Sequence, residues 1–252
     1  MTKIALITGG QQGIGLGIAT ALVDAGYRVA LASEATATSP AVITAMRILG
    51  DSARYYQHDL QDIAHIPALL DVISAEMGAV TTHVSNAGVP AKLRGDMLDI
   101  VPANYDFVMN INLRGAFFLA QDLARRMLAQ DSDHYRSIIF VTSVSASVAS
   151  IERAEYCMSK AAAAMMAGLF AVRLAPHGIG CFDLRPGIID TEMTAGVKDK
   201  YTALIEGGLV PAARWGQPSD IGQVIVPIAE GAMAFANGAV IPVDGGLSIH
   251  RL

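Results

Sequence analysis

The chain has 252 residues, of which 52% are hydrophobic and 16% charged, and its formal net charge at pH 7 is −5. An acidic balance without a basic run excludes the usual nucleic-acid-binding surface, so we expect no nucleic-acid partner. No stretch approaches the roughly 18 uninterrupted apolar residues of a membrane span, and the first apolar run is too short for a signal peptide, so we expect no membrane partner.

Short apolar runs alternate with helical patterns from end to end, which is typical of a parallel sheet covered by helices. Uninterrupted runs such as residues 138–141 suit parallel strands that are buried on both faces. With no linker or repeat between the elements, we predict a single α/β domain over residues 1–252. In chain order we predict strand 4–8, helix 14–25, strand 28–32, helix 41–49, strand 54–58, helix 66–77, strand 82–85, helix 103–129, strand 137–141, helix 156–175, strand 179–184, a late helix and strand 239–243.

Residues 190–216 contain Gly, Lys and Asp without a strong hydrophobic period. They lie between the sixth strand and the late helix. We therefore expect an excursion over the edge of the sheet that acts as a substrate lid.

A glycine-rich turn, Thr8-Gly9-Gly10-Gln11-Gln12-Gly13-Ile14-Gly15, joins the first strand to the first helix. A diphosphate at such a turn meets free backbone N–H groups and the positive end of the helix dipole. Glycines let the backbone approach the phosphates and adopt a positive φ. A glycine-rich turn without a ligand is the alternative, but the strand–turn–helix context favours a dinucleotide site.

Tyr156 and Lys160 are four residues apart at the start of a predicted helix, so they share one face. A phenol has an ordinary pKa near 10, and we expect the lysine cation to lower it so that Tyr156 acts as general acid or base. Ser143 follows the fifth strand, at the sheet edge where ligands of open α/β sheets bind. Each residue alone is more often a solvated polar group, but together downstream of the glycine turn they indicate an active site.

On these residues the chain resembles the single-domain branch of the short-chain dehydrogenase/reductase family, and in particular its 3-oxoacyl-(acyl-carrier-protein) reductases. Further motifs match along nearly the whole chain: Asp59-Leu60, Ser85-Asn86-Ala87-Gly88 with serine in place of the first asparagine, Arg185-Pro186-Gly187-Ile188-Ile189-Asp190-Thr191, and Asp244-Gly245-Gly246. The resemblance implies a Rossmann-type doubly wound domain, whose seven-stranded parallel sheet has the order 3-2-1-4-5-6-7 and helices on both faces.

The resemblance also implies the site residues and their roles. The catalytic tetrad is Asn112, Ser143, Tyr156 and Lys160. Asn112 kinks its helix and holds a water of a proton relay, Ser143 orients the substrate oxygen, and Tyr156 passes the proton. Lys160 binds the ribose and depresses the tyrosine pKa. The implied cofactor contacts are Gly9, Gln11, Gln12, Gly13, Ile14, Gly15, Ser33, Glu34, Asp59, Leu60, Asn86, Ala87, Gly88, Tyr156, Lys160, Pro186, Gly187, Ile189 and Thr191.

The implied activity is hydride transfer between NAD or NADP and a carbonyl or secondary alcohol carbon, with a 3-oxoacyl thioester, a sugar or a polyol as substrate. A catalytically silent, dinucleotide-sensing regulatory protein on the same fold is the alternative, and the complete tetrad argues against it. The substrate stays open. Residues 151–153 and Glu192-Met193 are candidates for specificity, and no basic cluster that would grip an acidic carrier protein is evident in the sequence.

The cofactor preference depends on the residues just after the second strand, where the adenosine ribose lies. Ser33 stands where many NAD-dependent members have aspartate, and neither Glu34 nor Gln12 is the arginine found in many NADP-dependent members. The Glu34 carboxylate would oppose a 2′-phosphate, so NAD is slightly favoured over NADP. Hydrogen bonding of the phosphate by Ser33, Ala35 and Thr36 is the alternative.

We also expect a homotetramer and a cytoplasmic location. The helix from Tyr156 contains small residues and the apolar pair Met165-Met166, and in the family this helix lies in a subunit interface, as does the C-terminal segment. Cys157 and Cys181 fit a reduced compartment. They provide neither a disulfide framework nor a metal-ligand spacing, so no metal site is expected.

Overall fold

Seven parallel strands form one sheet in a computed structural model that describes residues 2–251. The strands are β1 Ile4–Thr8, β2 Arg28–Ser33, β3 Ala53–Gln57, β4 Thr82–Ser85, β5 Arg136–Val141, β6 Ile179–Pro186 and β7 Val240–Val243. Their order across the sheet is β3-β2-β1-β4-β5-β6-β7, which confirms the predicted doubly wound topology. All the pairings between neighbours are parallel, so every strand ends at the same edge of the sheet.

Where bounds were predicted, the helices that connect these strands begin and end within two residues of them. One predicted helix is interrupted, and two short helices were not predicted. The predicted helix 103–129 is divided by a π-helical turn at Asn110–Gly115. The segment 190–216 contains two short helices that its weak hydrophobic period did not reveal. The helices are α1 Gly13–Asp24, α2 Pro40–Leu49, α3 Ile66–Met77, α4 Pro102–Met109, α5 Ala116–Ala129, α6 Ala154–Leu174, α7 Glu192–Ala195, α8 Lys198–Glu206 and α9 Pro218–Ala229.

Each face of the sheet has its own apolar core. Leu6 and Phe140 belong to the cluster beneath α3, α5 and α6, whereas Ile7 and Phe182 belong to the cluster beneath α1, α2 and α9. Successive strand residues point to opposite faces, so a strand covered on both sides is apolar throughout. Burial of each such side chain contributes roughly 1.5–3 kcal/mol.

Helices α1 and α9 pack backbone against backbone at two glycines. A Cβ atom at Gly17 would lie 2.5 Å from the carbonyl oxygen of Pro218, and one at Gly222 would lie 2.6 Å from the carbonyl oxygen of Gly17. Any larger residue would therefore push the two helices apart. This contact fixes α1, whose first turn forms part of the site described below.

The stretch Ile151–His177, which includes α6, is long and apolar enough to cross a membrane by length and composition alone. In the fold, 44% of its most apolar window is buried inside the protein. Met166, Ala171 and Leu174 are among the residues that pack in the core beneath the sheet. Core packing accounts for this part of its apolar composition.

Candidate active site

The loops that follow β1 to β4, together with the start of α7, surround one cleft at the carboxyl edge of the sheet. This is the position at which open α/β sheets bind their ligands. Most of the predicted cofactor residues lie in its wall: Gly9, Gln11, Gln12, Gly13, Ile14, Ser33, Glu34, Asp59, Leu60, Asn86, Ala87, Gly88 and Thr191.

Asn86, which follows β4, holds the glycine turn against the end of that strand. Its Nδ2 atom donates to the carbonyl oxygens of Thr8 at 2.9 Å and Gly9 at 3.3 Å. Gly9 has a φ of 65°, in the left-handed region that favours glycine. A Cβ at Gly15 would lie 2.1 Å from the carbonyl oxygen of Gly9, so only glycine permits this close approach. Gly15 therefore shapes the turn without lining the cleft.

The start of α1 fits the diphosphate and ribose of a dinucleotide. Gln12, the residue before the first helical turn, makes no capping hydrogen bond with its side chain. The first N–H groups of a helix lack partners within the helix and attract anions. Within residues 2–251, the buried Oε1 atom of Gln11 also lacks a hydrogen-bond partner. A buried acceptor of this kind suits a donor from a ligand, such as a ribose hydroxyl.

The end of the cleft at β2 and β3 is acidic and polar. The Ser33 hydroxyl is 2.8 Å from the Tyr55 hydroxyl, whereas the Glu34 side chain is exposed. Asp59 accepts a hydrogen bond from the backbone N–H of Gln61 at 2.9 Å. In the part of the chain that the structure describes, no lysine or arginine lines this cleft.

Asn112 lies within the π-helical turn that interrupts the long helix. Its Oδ1 atom accepts from the N–H of Val89 at 2.8 Å, and its Nδ2 atom donates to the carbonyl of Val89 at 3.0 Å and to the Ser159 hydroxyl at 3.1 Å. Ser159 donates in turn to the carbonyl of Tyr156 at 2.8 Å. Asn112 thus ties the loop after β4 to α6. Single π turns inside α-helices are frequent at functional sites.

Ser143, Tyr156 and Lys160 meet where β5 ends and α6 begins. Ser143 is buried, accepts from the N–H of Ser145 at 3.0 Å, and lies near enough to the Tyr156 phenol to lower its pKa. The Nζ atom of Lys160 lies 5.8 Å from the centroid of the Tyr156 ring and donates to the carbonyl of Val141 at 3.0 Å. A Cβ at Gly88 would be 3.4 Å from the same Nζ atom, so the lysine reaches the cleft wall.

The pKa of Tyr156 differs from the sequence-based expectation. Burial of the phenol raises its pKa, while the hydrogen bond from Ser143 and the positive charges of Arg153 and Arg94 oppose the rise. The charge of Lys160 is not among the effects that act on this pKa. Burial lowers the pKa of Lys160 to about 8, and the charge of Asp183 opposes this.

Residues 9–248 match the family model described as enoyl-(acyl carrier protein) reductase, which spans nearly the whole chain. The chain belongs to the short-chain dehydrogenase/reductase family. It is thus an oxidoreductase that exchanges a hydride between a nicotinamide dinucleotide and a carbonyl or alcohol carbon.

Three relatives illustrate the range of its similarity within the short-chain dehydrogenases/reductases. The crystal structure of a 3-oxoacyl-[acyl-carrier protein] reductase from Brucella melitensis in complex with NAD is 43% identical, with 100% of this chain and 99% of that chain covered and a TM-score of 0.96. The 2-dehydro-3-deoxy-D-gluconate 5-dehydrogenase of Escherichia coli (strain K12) is 33% identical over 97% of this chain and 94% of its own length. A gluconate 5-dehydrogenase from Burkholderia cenocepacia J2315, in complex with NADP and tartrate, is 30% identical, with 99% and 96% coverage and a TM-score of 0.89.

The remaining predicted cofactor residues lie outside the wall of the cleft. Pro186 pairs with Val243 at the end of β6, and a Cβ at Gly187 would be 2.7 Å from the Cα of Asp244. Ile189 is buried. Thr191, from the same predicted motif as Pro186, Gly187 and Ile189, does line the cleft, at the start of α7.

Several cleft residues of this short-chain dehydrogenase/reductase were not predicted from the sequence. His58 is buried with no partner for its Nε2 atom among the described residues, and burial lowers its pKa. Its position directly before the predicted cofactor-binding pair Asp59-Leu60 was the feature of the sequence that could have indicated a place in the cleft. The unpredicted lining residues are Ala32, His58, Gln61, Val89, Phe107 and Ile111. The cleft is also lined by Thr8 of the predicted glycine turn and by the specificity candidates Glu192 and Met193.

A buried charged network beneath the site was also missed. Asp183 hydrogen-bonds the Thr142 hydroxyl and forms an ion pair with the Nε atom of Arg185 at 2.8 Å. Arg185 donates to the Ser147 hydroxyl at 3.3 Å, which joins β6 to the loop after Ser143. A carboxylate inside the apolar run 181–184 was the signal that could have revealed it, because an unpaired buried charge is costly.

Proposed function

We propose that Tyr156 exchanges the proton of the substrate oxygen while Ser143 orients that oxygen. The observation behind this proposal is that Ser143, Tyr156 and Lys160 meet where β5 ends and α6 begins, with the Lys160 Nζ atom 5.8 Å from the centroid of the Tyr156 ring and hydrogen-bonded to the Val141 carbonyl. The bound nicotinamide ring supplies or accepts the hydride. In reduction, Tyr156 donates its proton to the forming alkoxide, and in oxidation the phenolate removes the proton of the alcohol.

Lys160 and Asn112 support the roles proposed for Ser143 and Tyr156. We propose that the Lys160 ammonium binds ribose hydroxyls, because it is buried yet reaches the Gly88 segment of the cleft wall. Asn112 positions α6 through Ser159 and holds a water of the proton relay. The network keeps Tyr156 at a fixed distance from the substrate oxygen, which proton transfer requires.

The substrate class is a ketone or secondary alcohol, with sugar acids and 3-oxoacyl thioesters as the leading candidates. Relatives of both kinds match nearly the whole chain. A panel of sugar acids, neutral sugars, polyols and 3-oxoacyl thioesters, followed by nicotinamide absorbance with NAD and NADP, tests the proposal. Absence of turnover with every pair would argue for the silent, cofactor-sensing alternative.

We propose that NAD is preferred over NADP. Glu34 lines the cleft after β2, and no lysine or arginine among the described lining residues could neutralise a 2′-phosphate. The Ser33 hydroxyl already has Tyr55 as partner. The relative from Brucella melitensis was solved with NAD, which agrees with this preference, whereas the one from Burkholderia cenocepacia was solved with NADP.

Titration of both cofactors against the purified protein measures this preference. Repulsion between the Glu34 carboxylate and the phosphate predicts about tenfold tighter binding of NAD. Glu34→Gln should narrow that ratio, while substitution of the exposed Asp24 on α1 by Asn should not. Tighter binding of NADP by the unmodified protein would overturn the proposal.

We propose that residues 190–216 form a lid over the substrate. Lys198 pairs with Asp190 at 2.9 Å, and Lys200 of α8 lies 3.9 Å from Glu152 in the loop before α6. The first pair lies within the segment, and the second joins the segment to the loop beside Tyr156. Trp215, the one tryptophan of the chain, donates to the Thr202 hydroxyl at 3.1 Å, so its fluorescence should change when cofactor and substrate bind. An unchanged signal would argue against a moving lid.

We propose a homotetramer, in agreement with exposed apolar faces on two parts of the fold. Met165, Leu169 and Val172 are exposed on α6, and Phe235 and Ile249 are exposed near the C-terminus. Contiguous exposed apolar patches mark interfaces more often than free surface. Light scattering at micromolar concentration tests this, and a monomeric mass would contradict it. We also propose a cytoplasmic location, with which the free thiols of Cys157 and Cys181 agree.

A further inference from the structure

Two arginines from different loops converge beside Tyr156. Arg94 lies in the loop between β4 and α4, and Arg153 ends the turn that leads into α6. The N–H of Gly95 donates to the carbonyl of Glu152 at 3.2 Å, which joins the loops at the neighbours of both arginines. The guanidinium of Arg153 lies 5.6 Å from the centroid of the Tyr156 ring.

Neither arginine forms an ion pair with any residue in the described range 2–251. Other cations in the loops at this edge of the sheet already have partners: Lys198 with Asp190, Lys200 with Glu152, Arg214 with Asp220, and Lys92 over the ring of Phe107. The unpaired positive charge of these loops is therefore concentrated at Arg94 and Arg153. An arginine without an ion-pair partner in the fold is available to an anionic group of a ligand.

Both charges act on Tyr156, and Arg153 lies directly beside its ring. Arg153 and Arg94 each oppose the rise in the pKa of Tyr156, so their fields act at its hydroxyl. A substrate whose oxygen is bound by Ser143 and Tyr156 would have its neighbouring atoms close to the same two side chains. An anionic group a few bonds from the reacting carbon would be stabilised there.

We propose that Arg94 and Arg153 form a subsite for a carboxylate of the substrate, so that the enzyme acts on oxo acids and hydroxy acids. This inference rests on the proposed function and narrows its substrate class. Planar guanidinium groups bind carboxylates through paired N–H donors. An acidic carrier protein would need several free cations over a wide surface. Phosphate oxygens can be bound by the same donors, so a phosphate ester is included among the test substrates.

Matched pairs of substrates test the subsite. Each pair consists of an acid and its uncharged amide or polyol, for example a sugar acid with the corresponding sugar alcohol, and a phosphate ester serves as a third member. The quantity compared is the ratio of kcat/KM for the acid to kcat/KM for the neutral analogue. Any effect of an arginine on Tyr156 acts on both substrates and cancels in this ratio.

We expect the unmodified enzyme to favour the acid, and Arg94→Gln or Arg153→Gln to lower the ratio by about tenfold to a hundredfold. The loss should appear chiefly in KM for the acid. Arg47→Gln, on the exposed face of α2 across the sheet, is the matched control for charge and should leave the ratio unchanged. Cofactor affinity and circular dichroism confirm that each variant is folded.

The outcomes separate the subsite from the reaction. If neutral ketones turn over and the acids are no better, or if the ratio is the same in the double variant, the subsite is wrong while the oxidoreductase function stands. Preference for the phosphate ester likewise overturns the carboxylate assignment. If no substrate turns over, calorimetry of the acid with the unmodified protein and the double variant still decides it: equal binding, or none, overturns the subsite.

Discussion

The ammonium nitrogen of Lys160 lies 3.0 Å from the carbonyl oxygen of Val141 and donates a hydrogen bond to it. This bond joins α6 to the end of β5, directly before the segment that contains Ser143. Lys160 is buried, and burial lowers its pKa to about 8 while Asp183 opposes the shift. The side chain is therefore fixed before any ligand binds, and its charge is sensitive to neighbouring carboxylates.

Lys160→Ala should impair both turnover and cofactor binding, because the same ammonium is proposed to bind the ribose and also holds α6, which contains Tyr156, against the end of β5. Loss of a charged hydrogen bond predicts about tenfold to a hundredfold weaker cofactor binding. Titration of the cofactor and single-turnover rates measure the two effects separately. A defect in turnover alone would remove the proposed ribose contact.

Asp183→Asn should shift the alkaline side of the pH–rate profile to lower pH. Asp183 raises the pKa of Lys160 against the effect of burial, so the neutral amide should let that pKa fall below about 8. Lysine is charged below its pKa, and the ammonium would then be lost at a lower pH. The pH dependence of kcat/KM measures the shift. Asp24→Asn, on the solvent side of α1, is the control, and an unmoved profile in Asp183→Asn would contradict the coupling.

Tyr156→Phe should reduce turnover by roughly a hundredfold to ten-thousandfold, which is the range of general acid–base catalysis. Cofactor affinity should stay nearly unchanged, because the lost hydroxyl acts on the reacting proton. Steady-state kinetics and cofactor titration measure these quantities, with the half-exposed Tyr105→Phe as the matched control. A variant that retains its kcat would show that another group transfers the proton.

The strands and the tetrad could be predicted from the sequence because both depend on local patterns. Uninterrupted apolar runs mark strands buried on both faces, and Tyr156 and Lys160 share a helix face by spacing alone. The π turn at Asn110–Gly115 was not predictable from a helical period, because a period averaged over a long segment does not resolve one irregular turn. Helix α8 was missed because only Ile205 among its nine residues is buried.

The network of Asp183 and the pairing of the loop cations depend on contacts between distant segments. Asp183 and Thr142 are 41 residues apart, and Gly95 and Glu152 lie in loops that only the folded chain brings together. Such contacts leave no periodic trace in the sequence. The direction of the Tyr156 pKa shift depends on burial and on contacts of this kind, which the spacing of Tyr156 and Lys160 does not reveal.

The last prediction concerns His83, which is fully buried in the central strand β4. Its Nδ1 atom hydrogen-bonds the carbonyl of Leu6 at 3.1 Å, and among the described residues its Nε2 atom has no partner. Burial lowers its pKa to about 4, against an ordinary value of 6.5. The folded protein therefore keeps this imidazole neutral at pH values where the unfolded chain is already protonated.

Because the unfolded state binds the extra proton, this contribution to the free energy of unfolding is complete above about pH 6.5 and falls as the pH drops towards 4. Between about pH 6.5 and about pH 5 the loss from this one group is on the order of 2 kcal/mol. The pKa of His58, which burial also lowers, changes stability in the same direction.

His83→Asn keeps an amide donor for the Leu6 carbonyl and cannot titrate, so the free energy of unfolding should depend less on pH by about that amount. Urea unfolding of both proteins at about pH 7 and about pH 5 measures the difference, with the exposed His250→Asn as control, and an equal loss in all three proteins would rule out His83 as the cause.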